Sequence, residues 1–174
     1  MTASNDSLEY PLGADIIASI RAAAVDFIVA VPDIVTSDGL LWPITHDREL
    51  SLVRICKEDE GVSICAAMSY NGTRALLLMQ QTGLMDSLNA IRAIGMDYRL
   101  PVCMMVGLQG KEAELKPRES SAYGVRIVEP VLDAMQIRHR LIETAADIEH
   151  ITGDIEQSYR DSLPFVFLIG RSPR

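Results

Sequence analysis

The feature that most constrains the fold is a series of short apolar runs that alternate with segments of helical periodicity. The runs carry almost no polar positions, which is typical of strands buried on both faces of a parallel sheet. The segments between them, such as 14–25 with isoleucines and alanines at helical spacing, predict amphipathic helices. Six strands are predicted, at 27–31, 50–56, 74–79, 101–108, 138–142 and 164–169.

Alternating strands and helices predict an α/β fold, here a doubly wound, mostly parallel six-stranded sheet with helices on both faces. The length of 174 residues predicts a single domain, 1–174, with a flexible N-terminus at 1–12. Sheets of this type bind ligands beyond the carboxyl ends of their strands. Function is therefore expected in the loops at 32–37, 56–61, 80–86 and 109–118.

Composition excludes several functional classes. The net charge of −8 argues against a nucleic-acid partner, which needs a basic face. No apolar run reaches the ~18 residues of a membrane-spanning helix. The first residues lack the basic and apolar parts of a secretory signal, so a cytoplasmic location is expected. The three cysteines form no CxxC pair and are predicted to be reduced, buried thiols, and the scattered histidines predict no metal ligated by this chain.

Charge is distributed unevenly along the chain. Residues 1–60 hold 11 acidic and 4 basic residues, whereas residues 61–120 hold 5 acidic and 6 basic ones. The middle third is thus where an anion is expected to bind, although a solvated acidic face in the first third explains the same numbers. Within 109–118, the basic residues Lys111, Lys116 and Arg118 predict either a loop that carries cations to a substrate or a solvated loop of mixed charge.

Residues 53–91 carry a composite motif, VRICKEDEGVSICAAMSYNGTRALLLMQQTGLMDSLNAI. A strand ends in an acidic Glu-Gly pair, an alanine-rich helix follows, and a second strand leads into the TGLMDS loop. This segment resembles the pyrimidine-binding domain of thiamine-diphosphate-dependent decarboxylases. The resemblance is closest to the alpha subunit of sulfopyruvate decarboxylase and the related part of phosphonopyruvate decarboxylase. Weaker similarity extends over 14–137, including the VPD sequence at 31–33 and PVLDAMQI.

The resemblance implies roles for individual residues. The glutamate of the Glu-Gly pair, Glu60, is implied to be catalytic, hydrogen-bonding N1′ of the cofactor's aminopyrimidine and sharing a proton with it. Glu58 and Asp59 are expected only to complement the partial positive charge of a helix N-terminus. The cofactor-binding residues implied by the resemblance are Glu60, Gly61, Thr82, Gly83 and Leu84.

The loops also depart from the family pattern. The family's SGLGNS reads TGLMDS here, so Met85 replaces a glycine and Asp86 an asparagine, and VPDS reads VPDI with Ile34 in place of serine. Because these loops lie near the substrate in the family, the changes bear on which substrate is accepted. Lys111 and Arg118 are the expected contacts to an anionic tail. The residues expected to bind substrate are Pro32, Asp33, Gln81, Met85, Asp86, Lys111 and Arg118.

The resemblance also implies cofactors and a partner. Family members hold the cofactor's diphosphate and Mg²⁺ through a GDG…N motif on a second domain, and the sequence contains no GDG. Thiamine diphosphate and Mg²⁺ are therefore the expected cofactors, with the Mg²⁺ ligated by a separate beta subunit in an α2β2 or larger assembly.

The function implied is that of an alpha subunit of a heteromeric decarboxylase, inactive without its beta subunit. It would act on a small anionic 2-oxo acid such as 3-sulfopyruvate or 3-phosphonopyruvate and release CO2 and an aldehyde. A subunit of a carboligase or acyl transferase with the same cofactor is one alternative. A non-catalytic regulatory subunit of such a complex is the other.

Overall fold

The computed structural model describes residues 10–174 and confirms the α/β prediction. The strands are β1 Phe27–Ala30, β2 Ser51–Arg54, β3 Ala75–Gln80, β4 Cys103–Gly107, β5 Arg138–Ile142 and β6 Phe165–Ile169. They form one six-stranded sheet in the order β2-β1-β3-β4-β6-β5. Every neighbouring pair is parallel, so all carboxyl ends lie at one edge of the sheet.

Helices follow most of the strands. They are α1 Gly13–Ala22, α2 Trp42–Thr45, α3 Glu58–Tyr70, α4 Gln81–Asp86, α5 Leu88–Ala90, α6 Tyr123–Arg126, α7 Val128–Ala134, α8 Ala145–Ile148 and α9 Ile151–Asp161. Ser37–Leu41 and Ile91–Asp97 are π-helical, and Pro117–Glu119 is a 3₁₀ turn. The single helix that the sequence predicts near 84–94 is divided, because α4 begins directly after β3 and the last part widens to π-helical hydrogen bonding. There the N–H of Tyr98 donates to the carbonyl of Ala93, five residues back.

The core lies on both faces of the sheet, as the unbroken apolar strands predict. Successive strand residues alternate between the faces, so Ile28 and Val29 enter different clusters. One face is covered by apolar residues of α1, α8 and α9 and the other by those of α3, α6 and α7. Because helices cover both faces of the sheet, the ends of the strands are the places where ligands can reach it.

The chain's N-terminal region is only partly described. The flexible N-terminus predicted at 1–12 lies largely outside the described residues, which begin at Tyr10. The residues just before α1 are held, because Arg174 donates from its N–H to the carbonyl of Pro11 at 3.1 Å and accepts at its own carbonyl from Gly13 at 2.8 Å. This short stretch therefore pairs with the C-terminal segment, and the flexibility predicted for 1–12 stays a prediction.

The long segment between β4 and α6 is held by hydrogen bonds between its own residues. The carboxylate of Glu112 accepts a hydrogen bond of 2.6 Å from the hydroxyl of Ser120 and one of 3.0 Å from the N–H of Ser121. Glu119 reaches back to accept from the N–H of Lys116 at 3.2 Å, which closes the 3₁₀ turn. These bonds give an aperiodic segment a defined path over the carboxyl edge of the sheet.

Candidate functional site

The first turn of α3 places two glutamates on opposite sides of the helix. Residues three and four positions apart share a helix face. Glu58 therefore lies on the same face as Gly61 and Val62, which are buried against the sheet. Glu60 lies on the face of Ser63 and Ala67, and all three are exposed. Of the two carboxylates, the half-buried Glu58 faces the neighbouring loop and Glu60 faces outward.

Glu58 lies against the backbone of the TGLMDS loop. Gly83 is in α4, directly after β3, and a Cβ atom built at Gly83 would overlap the carboxyl group of Glu58. Only glycine permits this approach without displacing the glutamate. The structure thus brings the acidic start of α3 and the loop after β3 together through Glu58.

Gly61 has a packing role. A Cβ atom at this position would lie 2.5 Å from Leu77 Cδ1 and 2.7 Å from Ile55 Cδ1. The glycine therefore lets the start of α3 rest directly on the sheet, which fixes where Glu58 projects. The cofactor contact implied for Gly61 stays a prediction.

The loop after β3 has a buried and an exposed half. Gly83 and Leu84 are buried, whereas Thr82 is exposed at the edge. Gln81 is only 5% exposed, and its side-chain amide bonds to the backbone of Gln109, donating to the carbonyl and accepting from the N–H at 2.9 Å each. Gln81 thereby joins the loops after β3 and β4. Both ends of its amide are thus bonded within the protein, and the expected contact of Gln81 to substrate stays a prediction.

The two residues that depart from the family loop occupy different environments. Met85 is partly buried and packs against the core on the α3 side. Asp86 is exposed, and its Oδ2 lies 3.1 Å from Nζ of Lys57. The hydrogen bond to Asp86 raises the pKa of Lys57, with further contributions from the charges of Asp59 and Asp86. The negative charge that Asp86 adds to the loop is thus neutralised locally.

The loop after β1 is organised by Asp33. Its Oδ1 accepts hydrogen bonds from the N–H groups of Val35 at 2.7 Å and Thr36 at 3.1 Å, and its other oxygen accepts from the Thr36 hydroxyl. Burial raises the pKa of Asp33, although these hydrogen bonds oppose the shift. Asp33 therefore holds the loop, and its expected contact to substrate stays a prediction. Pro32 is exposed at the same edge.

Two cations expected to meet an anionic tail are already paired. The side chain of Lys111 is fully buried, its Nζ contacts the carboxylate of Glu143, and it donates to the carbonyl of Glu112 at 3.0 Å. Arg118 bridges Glu129, at 3.1 Å from Nε, and Asp133. Each side chain stabilises the path of its own segment, and the expected contacts of both residues to an anionic tail stay predictions.

Sequence reasoning missed a small cleft beside this site. It has a volume of about 280 Å³ and is lined by Pro32, Leu41, Trp42, Thr45 and Arg54, with Trp42 66% exposed. Trp42 follows the aperiodic stretch after β1, which gave no signal of its position. The sequence predicts only a helix-dipole role for Glu58, but its spacing from Gly61 and Val62 places it on the buried face of α3.

The remaining chemistry-bearing groups lie elsewhere. Cys65 and Cys103 are buried as predicted, and burial raises the pKa of Cys103 to about 12, whereas Cys56 is exposed, contrary to the prediction. Within residues 10–174, no cluster of three or more His, Cys, Asp or Glu side chains could hold a metal ion. No helix of the described region is long and apolar enough to cross a membrane.

Three archaeal proteins named sulfopyruvate decarboxylase subunit alpha are similar to this chain. That of Methanothermobacter thermautotrophicus is 27% identical over 138 residues, which is 79% of this chain and 82% of that protein. That of Methanocaldococcus jannaschii is 27% identical over 68% of this chain and 69% of that protein. The chain is related to sulfopyruvate decarboxylase alpha subunits. The predicted resemblance to sulfopyruvate decarboxylase alpha subunits is thereby confirmed.

The third relative is covered less completely. The protein of Methanococcus maripaludis is 28% identical over 92 residues, so the match spans about half of each chain, 53% of this one and 54% of that one. No protein-family model matches the chain.

Proposed function

We propose that the chain is the pyrimidine-binding subunit of a thiamine-diphosphate-dependent 2-oxo acid decarboxylase. The observation that carries the proposal is the carboxyl group of Glu58 held against the backbone of Gly83 at the carboxyl edge of the sheet. The names of the related proteins support the decarboxylase activity. The proposal combines this geometry with the activity that the relatives' names state.

The residues at this edge fit the aminopyrimidine end of the cofactor. Glu58 supplies a half-buried carboxyl group, and the buried Gly83 leaves no side chain between that group and the loop. When bound, thiamine diphosphate supplies the electron sink for the carbanion that decarboxylation leaves. The part of this chain is to hold a proton on Glu58 at the cofactor's ring and to orient that ring beside Thr82.

Glu58 replaces Glu60 as the proposed proton-sharing residue. A carboxyl group that shares a proton near neutral pH needs partial removal from water. Glu60 is exposed on the outer face of α3, whereas Glu58 is half-buried against α4. The motif register favours Glu60 and the geometry favours Glu58, so the two residues form a matched pair for experiment.

A partner chain completes the proposed enzyme. The related proteins are named as alpha subunits. We propose that a beta subunit holds the diphosphate and Mg²⁺, in an α2β2 or larger assembly, and that the carboxyl edge of this sheet faces it. The proposed substrate is a small anionic 2-oxo acid of the 3-sulfopyruvate or 3-phosphonopyruvate class.

The test measures CO2 release from 3-sulfopyruvate and 3-phosphonopyruvate by the chain reconstituted with its beta subunit, thiamine diphosphate and Mg²⁺. Glu58→Gln is expected to lower the rate by about 10² or more, the usual contribution of a positioned proton-transfer group. Glu60→Gln leaves the Glu58 carboxyl group in place and is expected to stay within about twofold.

Each outcome has a defined meaning. A normal rate in Glu58→Gln with a collapse in Glu60→Gln would return the role to Glu60. No cofactor-dependent release by the wild-type complex on either acid would refute the decarboxylase. Carboligation products formed with an added aldehyde would identify the carboligase alternative, and cofactor bound without turnover would identify the regulatory one.

A further inference from the structure

A second, larger cleft opens at the carboxyl edge of the sheet, between the loop after β1 and the segment after β6. Its volume is about 580 Å³, within the roughly 300–1,000 Å³ of small-molecule sites. Ile34, Val35 and Leu108 form apolar walls, and Arg171 and Arg174 are the arginines of the lining. Neither Glu58 nor Gly83 lines this cleft, so it is separate from the proposed cofactor site.

The two guanidinium groups converge on one aromatic ring. The Cζ atoms of Arg171 and Arg174 lie 5.5 Å and 3.6 Å from the ring centroid of Tyr10. The two cations are therefore no more than about 9 Å apart, a separation at which charges still interact at physiological salt. Like charges so close repel one another unless an anion lies nearby.

No acidic side chain of the described residues pairs with these two arginines. Neither Arg171 nor Arg174 forms an ion pair with any acidic side chain of residues 10–174. Lys111 also lines the cleft, but its charge is taken by Glu143, and Asp38 is the single unpaired acid along the lining. The side chains that line the cleft thus carry a net positive charge in a chain whose net charge is −8.

Arg171 also retains an unused hydrogen-bond donor. Its Nε is buried without any partner, and its Nη2 makes one long contact, 3.4 Å, to the carbonyl of Ala113. A buried donor without an acceptor is costly, so turning the guanidinium toward an acceptor in the cleft is favourable. The planar Nε–Nη edge of arginine matches two oxygens of one oxyanion.

We infer that the cleft between the β1 loop and the segment after β6 binds a phosphate-type oxyanion through Arg171 and Arg174. The apolar walls leave room for a small organic group attached to the anion. Ser172 adds a hydroxyl to the lining. The inference does not rest on the proposed decarboxylase, and its test involves no turnover.

The test is calorimetric titration of the full chain with inorganic phosphate at constant ionic strength, with sodium chloride as the balancing salt. Wild type is expected to bind one phosphate with a Kd in the millimolar range or tighter. Arg171→Gln is expected to weaken binding by about tenfold or more, since a charge-assisted hydrogen bond is lost. Arg171→Lys, which keeps the charge but not the planar edge, should give an intermediate loss.

Two further variants separate a built site from general charge attraction. Arg92→Gln removes an arginine that lies outside the cleft lining, in the π-helical segment Ile91–Asp97, where it bonds to Asp97 and Asn89. This variant should leave phosphate binding unchanged. Asp38→Asn removes the acid in the cleft and should strengthen binding. Circular dichroism of each variant checks that it folds.

Two results would overturn the inference. One is the absence of saturable binding by the wild-type chain. The other is an equal loss in Arg92→Gln and Arg171→Gln, which would reduce the effect to net charge.

Discussion

Two charged segments reach the carboxyl edge of the sheet, and they differ in what their charges contact. At the start of α3, Lys57 pairs at the surface with Asp86 of α4. Glu58 turns toward the Gly83 backbone and has no cationic partner within residues 10–174. In the segment after β4, Lys111, Glu112 and Arg118 are each bonded to groups that fix the segment itself. Charged residues therefore contribute to a candidate site at the start of α3, whereas in the segment after β4 they fix the path of the backbone.

The difference follows from how each segment is held. The start of α3 is fixed by backbone hydrogen bonds and by the buried Gly61, so its side chains are free for other tasks. The segment after β4 has little regular structure and few apolar anchors. It needs side-chain bonds to fix its path, and these use its charges. Charge density along the sequence is thus a poor guide to a binding site where the backbone lacks regular structure.

The largest expected effect is on the stability of the protein and concerns the segment after β4. Lys111→Met should lower the free energy of unfolding by about 2–4 kcal/mol, because it leaves the carboxylate of Glu143 partly buried without its cation. The estimate lies toward the lower end of such effects because the Glu143 side chain is 22% exposed. Urea unfolding monitored by circular dichroism gives the value.

The double variant is the control for this prediction. Lys111→Met combined with Glu143→Leu removes both charges and should recover most of the loss. A single-variant effect below about 1 kcal/mol, the range of exposed ion pairs, would contradict a structural role for Lys111. The lysine would then again be a candidate for binding an anion.

The next effect concerns the candidate site. Gly83→Ala places a methyl group where the Glu58 carboxyl group lies and should lower the decarboxylation rate of the reconstituted complex by about tenfold to a hundredfold. Gly153→Ala is the matched control, since a Cβ atom at that position in α9 meets nothing within 4 Å. It should leave the rate unchanged and stabilise the chain by about 0.5–1 kcal/mol. Equal rates in the two variants would remove the close approach of Glu58 from the mechanism.

Local pattern predicted much of the fold, because strand burial and helix periodicity are written in adjacent residues. The last two strands are predicted at 138–142 and 164–169 and found at Arg138–Ile142 and Phe165–Ile169. The outward direction of Glu60 could also be read from its spacing to Ser63 and Ala67. The Glu-Gly motif favours Glu60 because a sequence motif carries no information on the direction of a side chain.

Pairings between distant loops could not be predicted from the sequence. Lys111 meets Glu143 only because β4, β6 and β5 are neighbours in the sheet, which brings residues 32 positions apart to one edge. The Gln81 amide reaches Gln109 across the β3–β4 pair in the same way. Such contacts depend on strand order, and no local signal in the sequence reports it.

The smallest effect tests whether the segment after β4 is held by its own hydrogen bonds. The hydroxyls of Ser120 and Ser121 lower the pKa of Glu112 from 4.5 to about 2. Because the folded-state pKa is the lower one, the stabilisation is complete above pH 4.5 and is lost as the pH falls toward 2. Glu112→Gln should therefore be less stable than wild type at pH 7, and the two proteins should converge between pH 4.5 and 2. The measurement is the free energy of unfolding of each protein across that pH range. Glu114→Gln, at an exposed position, is the control and should follow wild type throughout. A constant difference between Glu112→Gln and wild type down to pH 2 would show that ionised Glu112 does not hold the segment.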